Sequence, residues 1–541
     1  MLRFALAQLN PIVGNLEYNL NLAIDACQQA ITNSSNIIIF PELFLTGYMP
    51  EDLLLEQYFL DKVQQTLDNF IRASKNFNLH IIIGSVYQKN NLLFNSAFVI
   101  YQGNIQIQHK KYLPNYGVFD EKRYFTHDIY QKNSPFIIQN TSINLLICED
   151  MWQEQYLEES DILICINASP FAIAKDKLRL QALSKHNKNT IYLNMAGAHD
   201  EIIFDGNSLI TDKNNNVIKC LSKFKEEINY IDWCKNTKQW ICNNSNAYNN
   251  KCNIITKTNY TAEIYQALVL GTKNYVQKNG FSKIVIGISG GVDSALVACI
   301  AKDALGAENV HTIMMPTKYT ADISLIDAKQ LAQNLGISYE IINIQPIFDA
   351  FKQNLSSIEN LPASFNDVTF ENLQARIRGN ILMSYSNRTN ALVLTTGNKS
   401  ELAVGYCTLY GDMAGAYAVI KDILKTKVYE LCKYYNFLNK NSIPDRILTR
   451  APSAELKDNQ TDQDSLPDYA VLDEIIFKYV ELKHSPQDIA SNNIDINLVH
   501  KIIHLIKINE YKRKQAPIGP KITTCSFGKD WRYSLVNGFK Y

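Results

Sequence analysis

The stretch Ile284-Val285-Ile286-Gly287-Ile288-Ser289-Gly290-Gly291-Val292-Asp293-Ser294-Ala295-Leu296 decides the fold of the second half of the chain. Its apolar start reads as a strand buried on both faces, as parallel sheets require, and Val292 opens a helix. Ser289-Gly290-Gly291 therefore lies at the carboxyl edge of a sheet, where the free N–H groups of a helix start can receive an anion. Two adjacent glycines let the backbone approach phosphate oxygens. Ser289 and Ser294 supply hydroxyls, and Asp293 can hold the Mg²⁺ that accompanies a nucleotide. No lysine follows Gly291, so the loop is not the Gly-Lys-Ser/Thr cradle that serves cleavage at a γ-phosphate.

Outward from that loop, a helix is expected at 260–279 and strands at 311–315, 339–343 and 391–396, with helices between them. Strand and helix alternating at this spacing give a doubly wound parallel sheet. The first half also alternates, with apolar runs at Phe4 to Leu9, Ile37 to Phe40, Ile81 to Val86, Ala97 to Tyr101, Leu145 to Ile147, Ile162 to Ile166 and Ile191 to Leu193. Helix-period positions occupy 18–32 and 57–77, so this half is α/β as well. From about 235 to 253 the text turns Asn- and Lys-rich, which reads as a linker. The domains expected are 1–245, a linker at 246–258, and 259–541.

With 541 residues, 46% hydrophobic and 11% aromatic, the chain is long and apolar enough for roughly two to four folded domains. Lys and Arg balance Asp and Glu at 53 each, so no global field attracts nucleic acid. Eleven cysteines without a CxxC pair fit neither a disulfide scaffold nor a zinc ribbon, and a reducing cytoplasm is expected. The start of the chain has no signal-like apolar segment, and no long apolar run follows. His500 and His504 have the spacing of helical metal ligands, but without a cysteine nearby they read as a solvated helix face.

The loop Ser289 to Ser294 resembles that of the ATP-pyrophosphatase superfamily, whose members adenylylate a substrate oxygen and release pyrophosphate. Alone it leaves open asparagine and GMP synthetases, tRNA-modifying ligases and NAD synthetases. Three further segments, Thr369 to Gly379, Thr395 to Glu401 and Tyr410-Gly411-Asp412, resemble the motifs of NAD synthetases. The resemblance implies that Gly287, Ile288, Ser289, Gly290, Gly291, Val292, Asp293, Ser294 and Thr396 bind ATP. It places Asn372, Glu401, Lys425 and Lys529 against deamido-NAD, with Asp293 and Glu401 as magnesium ligands. These residue types suit the chemistry, because a carboxylate resists attack by a nucleophile until it is activated, and cations must neutralise the leaving pyrophosphate.

Amidation consumes ammonia, and the first half resembles a source of it. Phe40-Pro41-Glu42, Lys110-Lys111-Tyr112-Leu113-Pro114 and Leu145 to Trp152, with Cys148 within it, resemble the Glu-Lys-Cys triad of the nitrilase superfamily. The likeness implies an α-β-β-α sandwich, joined to a C-terminal domain like the adenine nucleotide α-hydrolases. Cys148 would attack the glutamine amide, Glu42 would move protons, and Lys110 would favour the thiolate and stabilise the oxyanion. Tyr116, Glu149, Ser169 and Lys175 match glutamine-binding positions. Taken together, the halves resemble glutamine-dependent NAD synthetases, which implies a homo-oligomer, an ammonia tunnel, and ATP, glutamine and deamido-NAD as substrates, with no nucleic acid or membrane partner. Two alternatives compete with that reading: another ATP-pyrophosphatase ligase, and a nucleotide-sensing protein with a dead amidase half. The polar run 450–467 reads as a lid over the nucleotide.

Overall fold

The computed structural model describes residues 1–128, 134–153, 157–241, 259–357, 368–458, 460–491 and 493–539. It divides into two units, Met1–Asn259 and Tyr260–Tyr541. The linker expected at 246–258 lies outside the described residues.

The first unit carries, in chain order, β1 (Leu2–Gln8), α1 (Leu16–Thr32), β2 (Ile37–Ile39), α2 (Gln57–Ser74), β3 (His80–Lys89), β4 (Leu92–Tyr101), β5 (Asn104–His109), β6 (Phe136–Ile138), β7 (Thr141–Ile147), β8 (Ile162–Asn167), α3 (Lys175–Ser184), β9 (Asn189–Asn194), β10 (Ala196–His199), β11 (Ile202–Asp205), β12 (Leu209–Thr211), β13 (Val217–Cys220), β14 (Glu227–Cys234) and β15 (Gln239–Ile241). One sheet runs β15-β14-β1-β2-β3-β4-β5, a second runs β13-β12-β9-β8-β7-β6, and β10 pairs with β11.

Alternation along the strands builds four layers. Phe4 and Leu6 of β1 meet Leu145, Ile147, Ile164 and Ile191 of the second sheet. Ala5 and Ala7 face the other way, against Ala23 and Ala26 of α1. On the far side, Leu146 and Cys165 pack under Ala182 and Leu183 of α3. Because successive side chains leave a strand on opposite faces, both faces must be apolar, and the strands read as continuous hydrophobic runs. The α-β-β-α sandwich is the result.

The second unit carries α4 (Tyr260–Lys278), β16 (Ile284–Gly287), α5 (Val292–Leu305), β17 (Val310–Met314), α6 (Asp322–Leu335), β18 (Ser338–Ile341), α7 (Gln345–Ser356), α8 (Thr369–Thr389), β19 (Leu392–Thr395), α9 (Lys399–Val404), β20 (Tyr417–Ala418), α10 (Lys425–Leu438), α11 (Asp445–Thr449), α12 (Tyr469–Ile476), α13 (Pro486–Ile489) and α14 (Ile496–Ile508). Its sheet has the order β18-β17-β16-β19-β20, and its neighbouring strands pair in parallel. The order reverses between β16 and β19, and in such sheets ligands bind in the crevice at that point, beyond the carboxyl ends of the strands. Val285, Ile313 and Val393 pack beneath Phe348 of α7 and Ile377 and Leu382 of α8. α5 lies against β16 and β17 and is backed by α4 and α10. A separate helical core joins α9, α12, α13 and α14 and takes in Phe527 and Trp531 of the C-terminal segment.

Some elements differ from the sequence reading. β15 falls inside the stretch read as linker, and its Trp240 packs edge-on against Phe4. β14, absent from the strands expected in this half, pairs with β1, and its Asp232 holds Arg3 at 2.7 Å across the ladder. Eight cysteines among the described residues are free. His500 and His504 lie on α14, whose buried face is formed by Val499, Ile502, Ile503 and Ile506. Among the described residues no helix is long and apolar enough to cross a membrane.

Candidate active site

Glu42 stands just beyond β2 and is fully buried. A Cβ on Gly84 would lie 2.4 Å from Leu43 N and 2.6 Å from Pro41 O, so only glycine allows β3 to run this close beneath the turn that carries Glu42. Lys110 follows β5, also buried. Its Nζ lies 2.7 Å from Glu42 Oε1 and 2.8 Å from Glu121 Oε1. Cys148 directly follows β7 with φ +47°, a left-handed backbone that turns the chain abruptly into the short helix Cys148–Met151. Such a conformation costs a non-glycine residue on the order of 1 kcal/mol and is met where the fold holds a functional side chain.

Asp150 ties these pieces together. Its Oδ1 accepts the N–H groups of Lys111 and Tyr112 at 3.0 and 2.8 Å, and its Oδ2 accepts that of Ile147 at 3.3 Å. The segment bearing Lys110 is thereby clamped to the strand bearing Cys148.

Burial drives the Cys148 thiol well above its ordinary range, and Glu42 pushes it the same way while Lys110 opposes both. Cys148 therefore rests as a thiol. Lys110 acts toward the thiolate, but it is outweighed. Burial alone would lower the Lys110 ammonium, yet Glu121 and Glu42 together hold it well above the usual lysine value. The site at rest is a neutral thiol near a locked cation.

Of the candidate glutamine contacts, Tyr116 and Glu149 meet directly, with the Tyr116 hydroxyl donating to Glu149 Oε2 at 2.8 Å. Ser169 is buried, its N–H bound to Asn194 Oδ1 at 2.8 Å and its carbonyl receiving Arg179 at 3.0 Å. Lys175 opens α3, half-buried, after Ala174 in a left-handed turn.

In the second unit Gly287 closes β16, Ile288 donates its N–H to Ile313 O, and Gly291 precedes α5. Gly290 has φ +78°, and a Cβ there would lie 2.5 Å from Ser324 O, so the tight turn requires glycine. Ser289 and Ser294 lie 3.1 Å apart through their hydroxyls, and Gly291 N donates to Ser289 Oγ at 3.2 Å. These hydroxyls shape the loop in addition to whatever they offer a ligand. Val292 and Asp293 begin α5. Thr396 directly follows β19, beside β16, so both strand ends face the crevice at the switch point.

Lys425 opens α10 and bridges Asp293 Oδ2 at 2.5 Å and Glu401 Oε1 at 2.9 Å. Burial lifts the Glu401 carboxyl, with Lys425 acting against it. Burial also works against the Lys425 ammonium, but Asp293 and Glu401 keep it charged. Two carboxylates thus already hold a cation between them. Such a donor set fits Mg²⁺, which takes one or two carboxylates and completes its shell from phosphate and water. Asn372 sits on α8, where its Oδ1 accepts the Thr408 hydroxyl at 2.7 Å, and Thr408 N in turn donates to Asp412. Lys529 is half-buried in the C-terminal segment. That segment is anchored to α9 by buried Lys399, whose Nζ reaches Thr523 Oγ1 at 2.8 Å and the carbonyl of Cys525 at 2.9 Å.

The chain matches two family profiles: carbon-nitrogen hydrolase over residues 3–241 and NAD synthase over 264–516. The glutamine-dependent NAD(+) synthetase of Acinetobacter baylyi is 41% identical over 551 residues, 99% of each chain. That of Thermotoga maritima is 42% identical over 575 residues, all of this chain and 99% of its own. The chain belongs to the glutamine-dependent NAD(+) synthetases. A solved member from Acinetobacter baumannii, in complex with ADP, superimposes with a TM-score of 0.76 at 38% identity, covering 99% of both chains. Another from Cytophaga hutchinsonii, 21% identical, shares the fold with a TM-score of 0.83 over 99% of this chain and 98% of its own.

Two residues that the sequence reading of this glutamine-dependent NAD(+) synthetase passed over stand inside its candidate sites. Glu121 contacts Lys110 and accepts the Tyr48 hydroxyl at 2.8 Å. Its one sequence signal is a carboxylate among residues that bury, Val118, Phe119 and Phe125. Asn398 lies within a motif already noted. Its Oδ1 caps α9 by accepting Glu401 N at 3.0 Å, and its Nδ2 donates to Asp293 Oδ1 at 2.9 Å.

Proposed function

We propose that this chain makes NAD by ATP-driven amidation of deamido-NAD, with glutamine as nitrogen donor, in units corresponding to 1–245 and 259–541. The observation that carries the reading is the buried Glu42–Lys110 ion pair beside Cys148, on a chain that also bears a phosphate-type loop and a carboxylate pair at a sheet switch point.

In the first unit, Tyr116, Glu149, Ser169 and Lys175 bind glutamine. Glu42 takes the Cys148 proton as the sulfur attacks the amide carbon, and Lys110 meets the developing oxyanion. Collapse of the adduct, with the proton returned from Glu42, releases ammonia and leaves a thioester. Glu42 then activates water, and the thioester opens to glutamate. Because Cys148 rests as a thiol, deprotonation is coupled to attack, and the empty site keeps a weak nucleophile.

In the second unit, the loop 287–294 and Thr396 hold ATP. The complex of the Acinetobacter baumannii relative with ADP supports binding of an adenine nucleotide by this chain. Asn372, Glu401, Lys425 and Lys529 hold deamido-NAD, so that its carboxylate oxygen attacks the α-phosphorus and pyrophosphate leaves. Ammonia then attacks the acyl-adenylate, giving NAD and AMP. Asp293 and Glu401 would hold Mg²⁺, which when bound offsets charge on the leaving pyrophosphate.

The run 450–467 belongs to the same site as a lid. Its Glu455 accepts Ser324 Oγ at 2.7 Å and Arg450 at 2.6 Å, next to the residue whose backbone abuts Gly290.

The test is NAD formation with glutamine and with ammonium, in wild type and Cys148→Ala. Loss of the glutamine-driven rate by at least about a thousandfold, with ammonium still used, is expected. Glutamine-driven turnover by Cys148→Ala would refute the assignment of the nucleophile, and failure of wild type to form NAD from either donor would refute the whole reading.

A further inference from the structure

Asn95 lies on β4, opposite Val86 of β3, and is 1% exposed. Its backbone carbonyl accepts the N–H of Lys110 at 2.8 Å. Its side-chain Nδ2 donates to Glu42 Oε1 at 2.8 Å, the oxygen that also receives Lys110 Nζ. A carboxylate only accepts hydrogen bonds, so the amide nitrogen must be the end that faces Glu42. Asn95 Oδ1 is then buried without a hydrogen-bond partner among the described residues.

We infer that Asn95 is a positioning residue for the glutaminase base, an assignment that rests on the reading of Glu42, Lys110 and Cys148 given above. The hydrogen bond that the amide gives the buried carboxylate is offset by the end left unsatisfied, so its net contribution to stability is small and stability alone does not account for it. What it supplies is orientation. Among the described residues, Oε1 of Glu42 takes two side-chain donors, from Lys110 and Asn95, whereas Oε2 takes one, the N–H of Ala168 at 3.0 Å. Each carboxylate oxygen offers about two acceptor sites, so Oε2 keeps one open and is the atom that receives the Cys148 proton. Through its carbonyl, the same residue fixes the backbone of Lys110. The side chain therefore sets the direction of the base, while the backbone carbonyl, which any residue at this position would supply, holds the segment that carries the cation.

The experiment compares Asn95→Leu, Asn95→Asp and Glu42→Gln in the full-length chain. It reads glutamine-driven kcat and KM, their pH dependence and the thermal midpoint. Asn95→Leu should keep or raise the midpoint while kcat falls at least about tenfold, with KM for glutamine nearly unchanged. Asn95→Asp places a second carboxyl against Glu42. Because the two resist ionising together, the acidic limb of the kcat profile should move up by about one pH unit or more, with activity partly recovered at high pH. A wild-type kcat in Asn95→Leu, or a wild-type pH profile in Asn95→Asp, would overturn the assignment; if the leucine variant does not fold, the aspartate profile decides. Full glutamine-driven turnover in Glu42→Gln would instead overturn the underlying reading of the base, and this inference with it.

Discussion

Glu121 gives Lys110 a second carboxylate, and that contact makes the cation permanent in a dry site. In Glu121→Gln the lysine would keep Glu42 alone, and the ammonium would draw on the base it should leave free. Glutamine-driven kcat is expected to fall by about ten- to a hundredfold, measured at saturating glutamine. Asp150 offers a pH signature. Burial lifts its carboxyl to about 7 despite three backbone donors. The unfolded chain titrates near 4, so between roughly pH 4 and 7 the native state binds a proton that the unfolded state has lost. Its contribution to stability is therefore fully present below pH 4 and declines as pH rises through that window. Asp150→Asn has no such proton, so the difference in urea midpoint, wild type minus variant, should shrink between pH 5 and pH 7.5. At this scale Glu42, Lys110, Cys148 and Asp293 were legible because their motifs announce them. Glu121 and Asn95 were not, since a lone carboxylate or amide acquires its role only from neighbours far away in the chain.

The elements that hold these residues act by backbone geometry. Gly290 shows how little room there is, because alanine would need a left-handed φ and would strike the Ser324 carbonyl. Strain of about 1–3 kcal/mol would be relieved by shifting the loop. Gly290→Ala is therefore expected to lower ATP-dependent NAD formation from ammonium at least about tenfold, while glutamate release in the other unit, assayed by itself, continues. α9 and α10 are similarly fixed. Asp473 on α12 binds the Ser400 hydroxyl and accepts Thr426 N at 2.8 Å, and Ser400 Oγ accepts Lys425 N at 2.9 Å. The helices that present Glu401 and Lys425 thus share one buried carboxylate. Elements buried on both faces, such as β1, β8 and β16, were readable from continuous apolar runs. β5, written Asn-Ile-Gln-Ile-Gln-His, was passed over, and so was β14 with its Glu, Asn and Asp, because part of what holds them is pairing with a neighbour.

At the scale of the whole molecule the chain is two units, each closing its own cores, and the two matched families follow the same division. The sequence by itself determined the α/β class of both units, the loop at 289–294 and the residue types that its chemistry needs. These are local properties: periodicity, glycine where φ is positive, and motifs within a dozen residues. Only the tertiary structure decided that Gln239–Ile241, inside the stretch read as linker, returns to pair beside β14, and that Lys425 sits between Glu401 and Asp293, the latter 132 residues before it. It alone decided, too, that Asn95 and Glu121 converge on Lys110. The reason is physical. Local conformation follows from near neighbours, whereas the burial of a charge is tolerated only where distant strands bring its partners to it, and nothing in the linear order of residues records that meeting.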